Sequence, residues 1–182
     1  MQTHLVLTVI GPDRPGLIRA VAAEIAAADG SWLESRMASL AGQFAGIVLA
    51  RAPQPKVEGL IERLNALASQ GLRIAVERGS IEPAPQAERS LRLELLGQDR
   101  PGIVRDIAAV LAEQRISVDE LETGTLSGSF SGENLFKAKA RLRVPAAVPT
   151  ATLRASLEAL ANELMVDISL ADSAPAATTA SN

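Results

Sequence analysis

The spacing of apolar residues changes several times along the chain, and each change marks a predicted element. The β-branched run over residues 5–10 ends at Gly11 and predicts a buried strand. Apolar residues then recur at spacings of three and four up to Ala28, which predicts a helix that starts at Pro15. The same patterns predict further strands and one more helix, over 31–40, 44–51, 56–68 (the helix) and 72–76. The predicted order is therefore β-α-β-β-α-β.

One six-residue segment occurs twice. Residues 11–16, Gly-Pro-Asp-Arg-Pro-Gly, recur as residues 97–102, Gly-Gln-Asp-Arg-Pro-Gly, at an offset of 86. The element order repeats with the segment, as strands over 91–95, 117–126, 135–144 and 165–170 and helices over 101–114 and 151–164. We therefore predict two domains, over 1–78 and 89–171, a linker over 79–88 and a disordered polar tail over 172–182.

This element order predicts an α+β fold in each domain. With right-handed crossovers, a β-α-β-β-α-β unit forms a four-stranded antiparallel sheet with both helices on one face, which is the ferredoxin-like arrangement. The other face of the sheet is left for solvent or for a partner. We expect the two domains to dock on each other and the chain to form a homo-oligomer.

Composition and charge argue against several function classes. The net charge is −3, so the chain lacks the basic excess with which proteins bind nucleic-acid phosphates. Cysteine is absent and His4 is the only histidine, so we expect no disulfide, no metal site and no cofactor, and we identify no catalytic residue. We also expect no signal peptide and no membrane contact, because no apolar run reaches about 20 residues, and a cytoplasmic location fits.

The repeated segment joins the first strand of each domain to its first helix. The first turn of a helix has unpaired backbone N–H groups and a partial positive charge, so it can hold a small carboxylate. Gly16 and Gly102 leave the approach to these N–H groups open. Gly11 and Gly97 permit a tight turn. A ligand site at this loop is therefore one interpretation of the repeat.

A purely structural role of the same segment is the other interpretation. Asp13 and Asp99 can cap the two helices through their side chains, and Arg14 and Arg100 can lie on the surface. A proline at the start of a helix is ordinary. From the residues alone, both interpretations stay open.

The segments Asp-Arg-Pro-Gly-Leu-Ile and Asp-Arg-Pro-Gly-Ile-Val, each after a strand and a glycine, resemble the opening of ACT domains. The resemblance covers residues 3–78 and 89–171 and implies the ferredoxin-like fold for both. A chain of two such domains without a catalytic part is similar to the glycine cleavage system transcriptional repressor family. That family implies a non-enzymatic regulator that senses a small amino acid, glycine first. It implies action through a protein partner such as a DNA-bound activator, without direct nucleic-acid binding.

ACT domains usually bind an amino acid where two domains meet, against the loop between the first strand and the first helix. By position, the resemblance implies ten ligand-binding residues: Gly11, Asp13, Arg14, Pro15, Gly16, Gly97, Asp99, Arg100, Pro101 and Gly102. The copies differ at Pro12 and Gln98, so we expect them to bind unequally. The second copy also has a longer turn over 127–133, which is a candidate lid or partner surface.

Other functions remain open. The chain can be a ligand-free scaffold for protein contacts, or a regulatory subunit of an enzyme of amino-acid metabolism. Four basic residues alternate with apolar ones in the strand over 135–144: Lys137, Lys139, Arg141 and Arg143. We expect their charges on the open sheet face. There they either bind RNA or an acidic partner, or pair with Glu120 and Glu122 on the neighbouring strand.

Overall fold

The computed structural model describes residues 1–79, 88–127 and 134–172, and the chain divides into two compact units, Met1–Glu82 and Pro83–Asn182. Most of the predicted linker, of the longer turn over 127–133 and of the polar tail lies outside the described residues, so these three stay predictions. Within the described ranges, no helix has the length and apolar character needed to cross a membrane.

The first unit has the predicted order of elements. Its strands are β1 (Gln2–Pro12), β2 (Ser31–Leu40), β3 (Gln43–Pro53) and β4 (Arg73–Gly79), and its helices are α1 (Leu17–Ala27) and α2 (Val57–Ala66). Short 3-10 turns at Gln54–Lys56 and Leu67–Gln70 flank α2. The strands form one antiparallel sheet in the order β2-β3-β1-β4.

The second unit repeats this arrangement. Its strands are β5 (Glu88–Gln98), β6 (Ser117–Ser127), β7 (Asn134–Pro145) and β8 (Val166–Asp172), and its helices are α3 (Ile103–Glu113) and α4 (Thr150–Leu164). The antiparallel sheet has the order β6-β7-β5-β8. The ferredoxin-like α+β fold predicted from the sequence is therefore confirmed for both units.

Each unit encloses its own apolar core. In β1, strand alternation places Leu5, Leu7 and Val9 on the side that the helices cover, where each is at most 1% exposed. Leu60 and Leu64 of α2 close the same core and are fully buried. The second core is built in the same way from its own strands and helices, and the two cores share no buried residue. Alternate residues of every strand therefore point to the opposite, open face of their sheet.

Candidate functional site

The repeated loop has the same backbone conformation in both units. Gly16 precedes α1 and Gly102 precedes α3, and each has a φ of 94°, a left-handed conformation that is costly for other residues. In the first hydrogen bond of α1, the N–H of Ala20 donates to the carbonyl of Gly16 at 2.9 Å. In α3, the N–H of Asp106 donates to the carbonyl of Gly102 at the same distance. The three N–H groups before each of these donors therefore have no partner within their helix.

The start of each helix differs from its prediction. Pro15 and Pro101 do not occupy the first helical position, because a left-handed glycine follows each of them. A residue with positive φ cannot be part of a right-handed helix, so the helices begin two residues later than predicted, at Leu17 and Ile103. The prolines therefore shape the turn that leads into the helix.

The aspartates of the loop do not cap the helices, so the predicted capping role is wrong. Neither helix has a side-chain hydrogen bond at its N-cap. Asp13 instead accepts a hydrogen bond from Ser39 Oγ at 2.7 Å, and its backbone N–H donates to the carbonyl of Gly42 at 2.9 Å. The N–H of Asp99 donates to the carbonyl of Asn134 at the same distance. The first loop is thus bonded to the turn between β2 and β3, and the second loop to the first residue of β7. The carboxylate of Asp13 lies beside the start of α1.

The glycines at the beginning of the repeated segment lie inside strands, not in the tight turn predicted for them. Gly11 belongs to β1 and Gly97 to β5. A Cβ on Gly11 would lie 2.7 Å from the carbonyl oxygen of Gly71, and one on Gly97 would lie 2.3 Å from Val166 Cγ1. Glycine is needed at both positions because a neighbouring segment approaches too closely for any side chain.

A cavity of about 370 Å³ lies beside the loop of the first unit. Four predicted ligand-binding residues line it together with five others: Asp13, Arg14, Pro15, Gly16, Leu17, Ile18, Arg19, Ser39 and Phe44. The carboxylate of Asp13 and the N-terminus of α1 therefore border one space. Sequence reasoning missed Ser39 and Phe44, which stand opposite each other in the β2–β3 register. Only that register, which no local pattern reveals, brings them to the loop.

The two loop arginines have different surroundings. Arg14 donates a hydrogen bond to the carbonyl of Gln70 within the first unit. The Nε and Nη2 atoms of Arg100, in contrast, are buried and have no hydrogen-bond partner among the described residues. The loops therefore differ in their polar contacts, and unequal binding by the two copies stays a prediction.

An ion pair beside Gly102 also distinguishes the second loop. Arg105 Nε donates to Asp106 Oδ1 at 2.7 Å, and Arg105 Nη2 lies 2.9 Å from the place of a Cβ on Gly102. The hydrogen bond from Arg105 holds the pKa of Asp106 below its ordinary value, and the same bond raises the pKa of Arg105. Ala20 stands at the position of Asp106 in the first unit, so this ion pair has no counterpart there.

The basic strand is β7, and its two faces are as predicted. Its apolar residues lie in the second core: Phe136, Ala138, Ala140, Leu142 and Val144. On the open face, Arg141 pairs with Glu120 at 2.9 Å, which confirms that predicted contact. Lys139 contacts Glu94 of β5 at 3.9 Å and forms no ion pair with Glu122, although both glutamates are its partners in the strand registers. Internal pairing therefore accounts for much of this charge.

A second cavity, of about 290 Å³, lies over β5, β7 and β8. Its polar lining combines both signs of charge, from Lys137 and Lys139 and from Glu94 and Asp167. A surface of mixed sign does not select a ligand by charge alone. Within the described part of the chain, no three His, Cys, Asp or Glu side chains come together as a metal site.

Comparison with known proteins relates the first unit to a family and most of the chain to individual proteins. The family model of the ACT domain matches residues 3–77. The chain is 25% identical over 169 residues to the glycine cleavage system transcriptional repressor of Escherichia coli (strain K12), a match that covers 90% of this chain and 86% of that protein.

Solved structures extend the likeness over both units. An unknown protein from Galdieria sulphuraria superposes with a TM-score of 0.86 at 30% identity, over 96% of this chain and 100% of that one. A structure provisionally assigned as a glycine cleavage system transcriptional repressor superposes with a TM-score of 0.68 at 23% identity, over 93% and 96% of the two chains. This second match shows a shared fold.

Proposed function

We propose that the chain is a tandem ACT-domain protein that acts as a non-enzymatic regulator and senses a small amino acid, glycine first. The observation that carries the proposal is the cavity of the first unit, where Asp13, the left-handed Gly16 and the N-terminus of α1 meet. The 25% identity to a glycine cleavage repressor over 90% of the chain supports the regulatory role.

The chemistry of the cavity suits an amino-acid zwitterion. The N–H groups of the first turn of α1 favour a carboxylate, by hydrogen bonding and by the partial positive charge of the helix end. The carboxylate of Asp13 is held by Ser39 and offers a counter-charge to an ammonium group. Gly16 brings no side chain, and open space surrounds the place of its Cβ. A ligand with a small side chain fits this arrangement best.

Regulation requires that the ligand favour one conformation of the protein over another. A ligand shifts a conformational equilibrium only by its difference in affinity for the two states. We propose that the response is passed to a protein partner such as a DNA-bound activator. The net charge of −3 supports a protein partner over direct nucleic-acid binding.

Calorimetric titration of the full chain with glycine, alanine and serine tests the ligand. We expect glycine to bind, and Asp13→Asn to weaken the binding by about tenfold or more, because a charged contact is lost while the amide oxygen still accepts from Ser39. Asp29→Asn is the matched control, since Asp29 is an exposed carboxylate that contacts Lys56 away from the loop. Asp99→Asn reports whether the second loop contributes.

Two outcomes of the titration would contradict parts of the proposal. Absence of binding for every amino acid would leave the ligand-free scaffold as the function. Equal weakening by Asp13→Asn and Asp29→Asn would show that the ligand does not bind in this cavity.

Size-exclusion chromatography of the chain with a candidate activator, with and without glycine, tests the protein partner. Complex formation that glycine does not alter would argue against ligand-controlled regulation.

A further inference from the structure

The open faces of the two sheets are chemically different although their folds are the same. In the first unit, the register pairs Val6 with Leu49 and Thr8 with Ile47 on the face opposite the helices. We call the central residues of this surface the apolar face: Val6, Thr8, Ile10, Ala45, Ile47 and Leu49. Ile47 at its centre is 51% exposed. Five of these six side chains are apolar, which is unusual for a sheet face that meets water alone.

The second sheet is an internal control for this surface. Its register places Arg92 with Arg141, Glu94 with Lys139, and Leu96 with Lys137, at the positions of the three pairs of the apolar face. Ion pairs satisfy several of these charges, as for Arg141 and Glu120. The fold therefore tolerates charges at these positions. The apolar residues of the first sheet are not required by the fold, so they indicate a contact.

We propose that the apolar face is the site where two copies of this chain pack sheet against sheet. A covering surface must itself be apolar, and a second copy presents the same face. Such a contact is isologous, so one two-fold axis relates the two copies. Packed sheets lie about 10 Å apart with interdigitated side chains, which the β-branched and leucine residues of this face allow.

Two charges on β4 indicate how the copies are oriented. In the β1–β4 register, Glu77 lies beside Val6 and Arg73 lies beside Ile10, both on the open face. Both side chains are exposed, and neither forms an ion pair with another residue of the described ranges. A two-fold axis that crosses the strands at the level of Thr8 places Glu77 of one copy against Arg73 of the other, twice. The β4 edge of the apolar face is thus complementary in charge to itself.

Replacing residues of the apolar face by the charged residues at the same positions of the second sheet tests whether this face forms the dimer contact. We expect the full chain to sediment as a dimer, and Ile47→Lys or Val6→Arg to raise the dimer dissociation constant at least about 30-fold, as for a residue central to an interface. These variants copy Lys139 and Arg92, which the same fold already accommodates. Val104→Lys is the matched control, because Val104 is 42% exposed, lies on α3 of the second unit and lines neither cavity.

Charge reversal on β4 tests the orientation without placing a charge in the apolar face. We expect Arg73→Glu and Glu77→Arg each to weaken the dimer, and the double variant to restore it. A wild-type chain that stays monomeric at all concentrations would overturn the proposal. So would equal dissociation by Val104→Lys and Ile47→Lys. Failure of the double charge reversal to restore the dimer would overturn the proposed orientation.

Discussion

Glycine is required at position 16 for its backbone conformation and not for lack of space, since no atom lies within 4 Å of the place of a Cβ there. An alanine at this position must keep a φ of 94°, so we expect Gly16→Ala to lower the free energy of unfolding by about 1–2 kcal/mol. Gly59 within α2 is the matched control, since its Cβ would contact only Arg63 Nη1 at 3.5 Å. We expect Gly59→Ala to raise the free energy of unfolding by about 0.5–1 kcal/mol. Urea denaturation measures both, and effects of the same sign would contradict the argument.

The ion pair of Arg105 and Asp106 ties part of the stability to pH. The hydrogen bond from Arg105 is the main cause of the lowered pKa of Asp106, and the charges of Arg105 and Arg100 add to it. A carboxyl whose pKa is lower in the folded state contributes stability above its unfolded pKa of about 4, and this contribution is lost as the pH falls through the folded-state pKa. We expect Arg105→Gln to raise the pKa of Asp106 toward its ordinary value.

Carboxyl-carbon NMR titration measures that pKa directly. Arg115→Gln is the control, because Arg115 follows α3 and has no part in the shift at Asp106. An unchanged pKa of Asp106 in Arg105→Gln would mean that the hydrogen bond does not cause the shift.

At the scale of elements, the close approach of β8 to β5 makes Gly97 a packing residue. A Cβ there would lie 2.3 Å from Val166 Cγ1 and 3.0 Å from Val166 Cα, so either the strand or the valine must move. We expect Gly97→Ala to destabilise the second unit by about 1–3 kcal/mol, as overpacking does. Val166→Ala in the same chain should recover part of that loss. Gly124→Ala in β6 is the control, since its Cβ would meet only the flexible Lys137 side chain at 3.3 Å.

The order of the elements could be predicted because apolar spacing is a local property. Alternation in β1 and the three-and-four spacing of α1 each follow from neighbouring residues, and both were confirmed. The role of Gly97 could not be predicted, because it depends on Val166, which lies far along the chain. The start of α1 was predicted too early because the sequence does not show that Gly16 is left-handed.

The candidate site was predictable only along the loop. Asp13 and Gly16 come from the repeated segment itself, and both line the cavity of the first unit. Ser39 and Phe44 enter the cavity through the pairing of β2 with β3. Register across a hairpin depends on turn geometry and on which face is buried, so a motif search does not find these two residues.

For the whole molecule, duplication has kept one set of features and changed another. Both copies retain the left-handed glycine before the first helix and the same sheet order. Their open faces differ, as Ile47 and Lys139 at equivalent positions show. Core and loop are constrained in every copy by folding and by the backbone, whereas an open face is constrained only by what it meets. Differences between the copies therefore indicate where each unit makes its own contacts.

Separate cores predict separate unfolding. Leu60 in the first core and Leu153 in the second are both fully buried, and truncation of either to alanine should cost about 2–5 kcal/mol. Trp32 is the only tryptophan and packs against the first core, so its fluorescence follows the first unit. We expect Leu60→Ala to lower the midpoint of the fluorescence transition. Leu153→Ala should leave that midpoint unchanged and shift only part of the circular dichroism transition. If both variants moved the fluorescence midpoint equally, the two units would unfold as one cooperative body, and two-state analysis of the whole chain would apply.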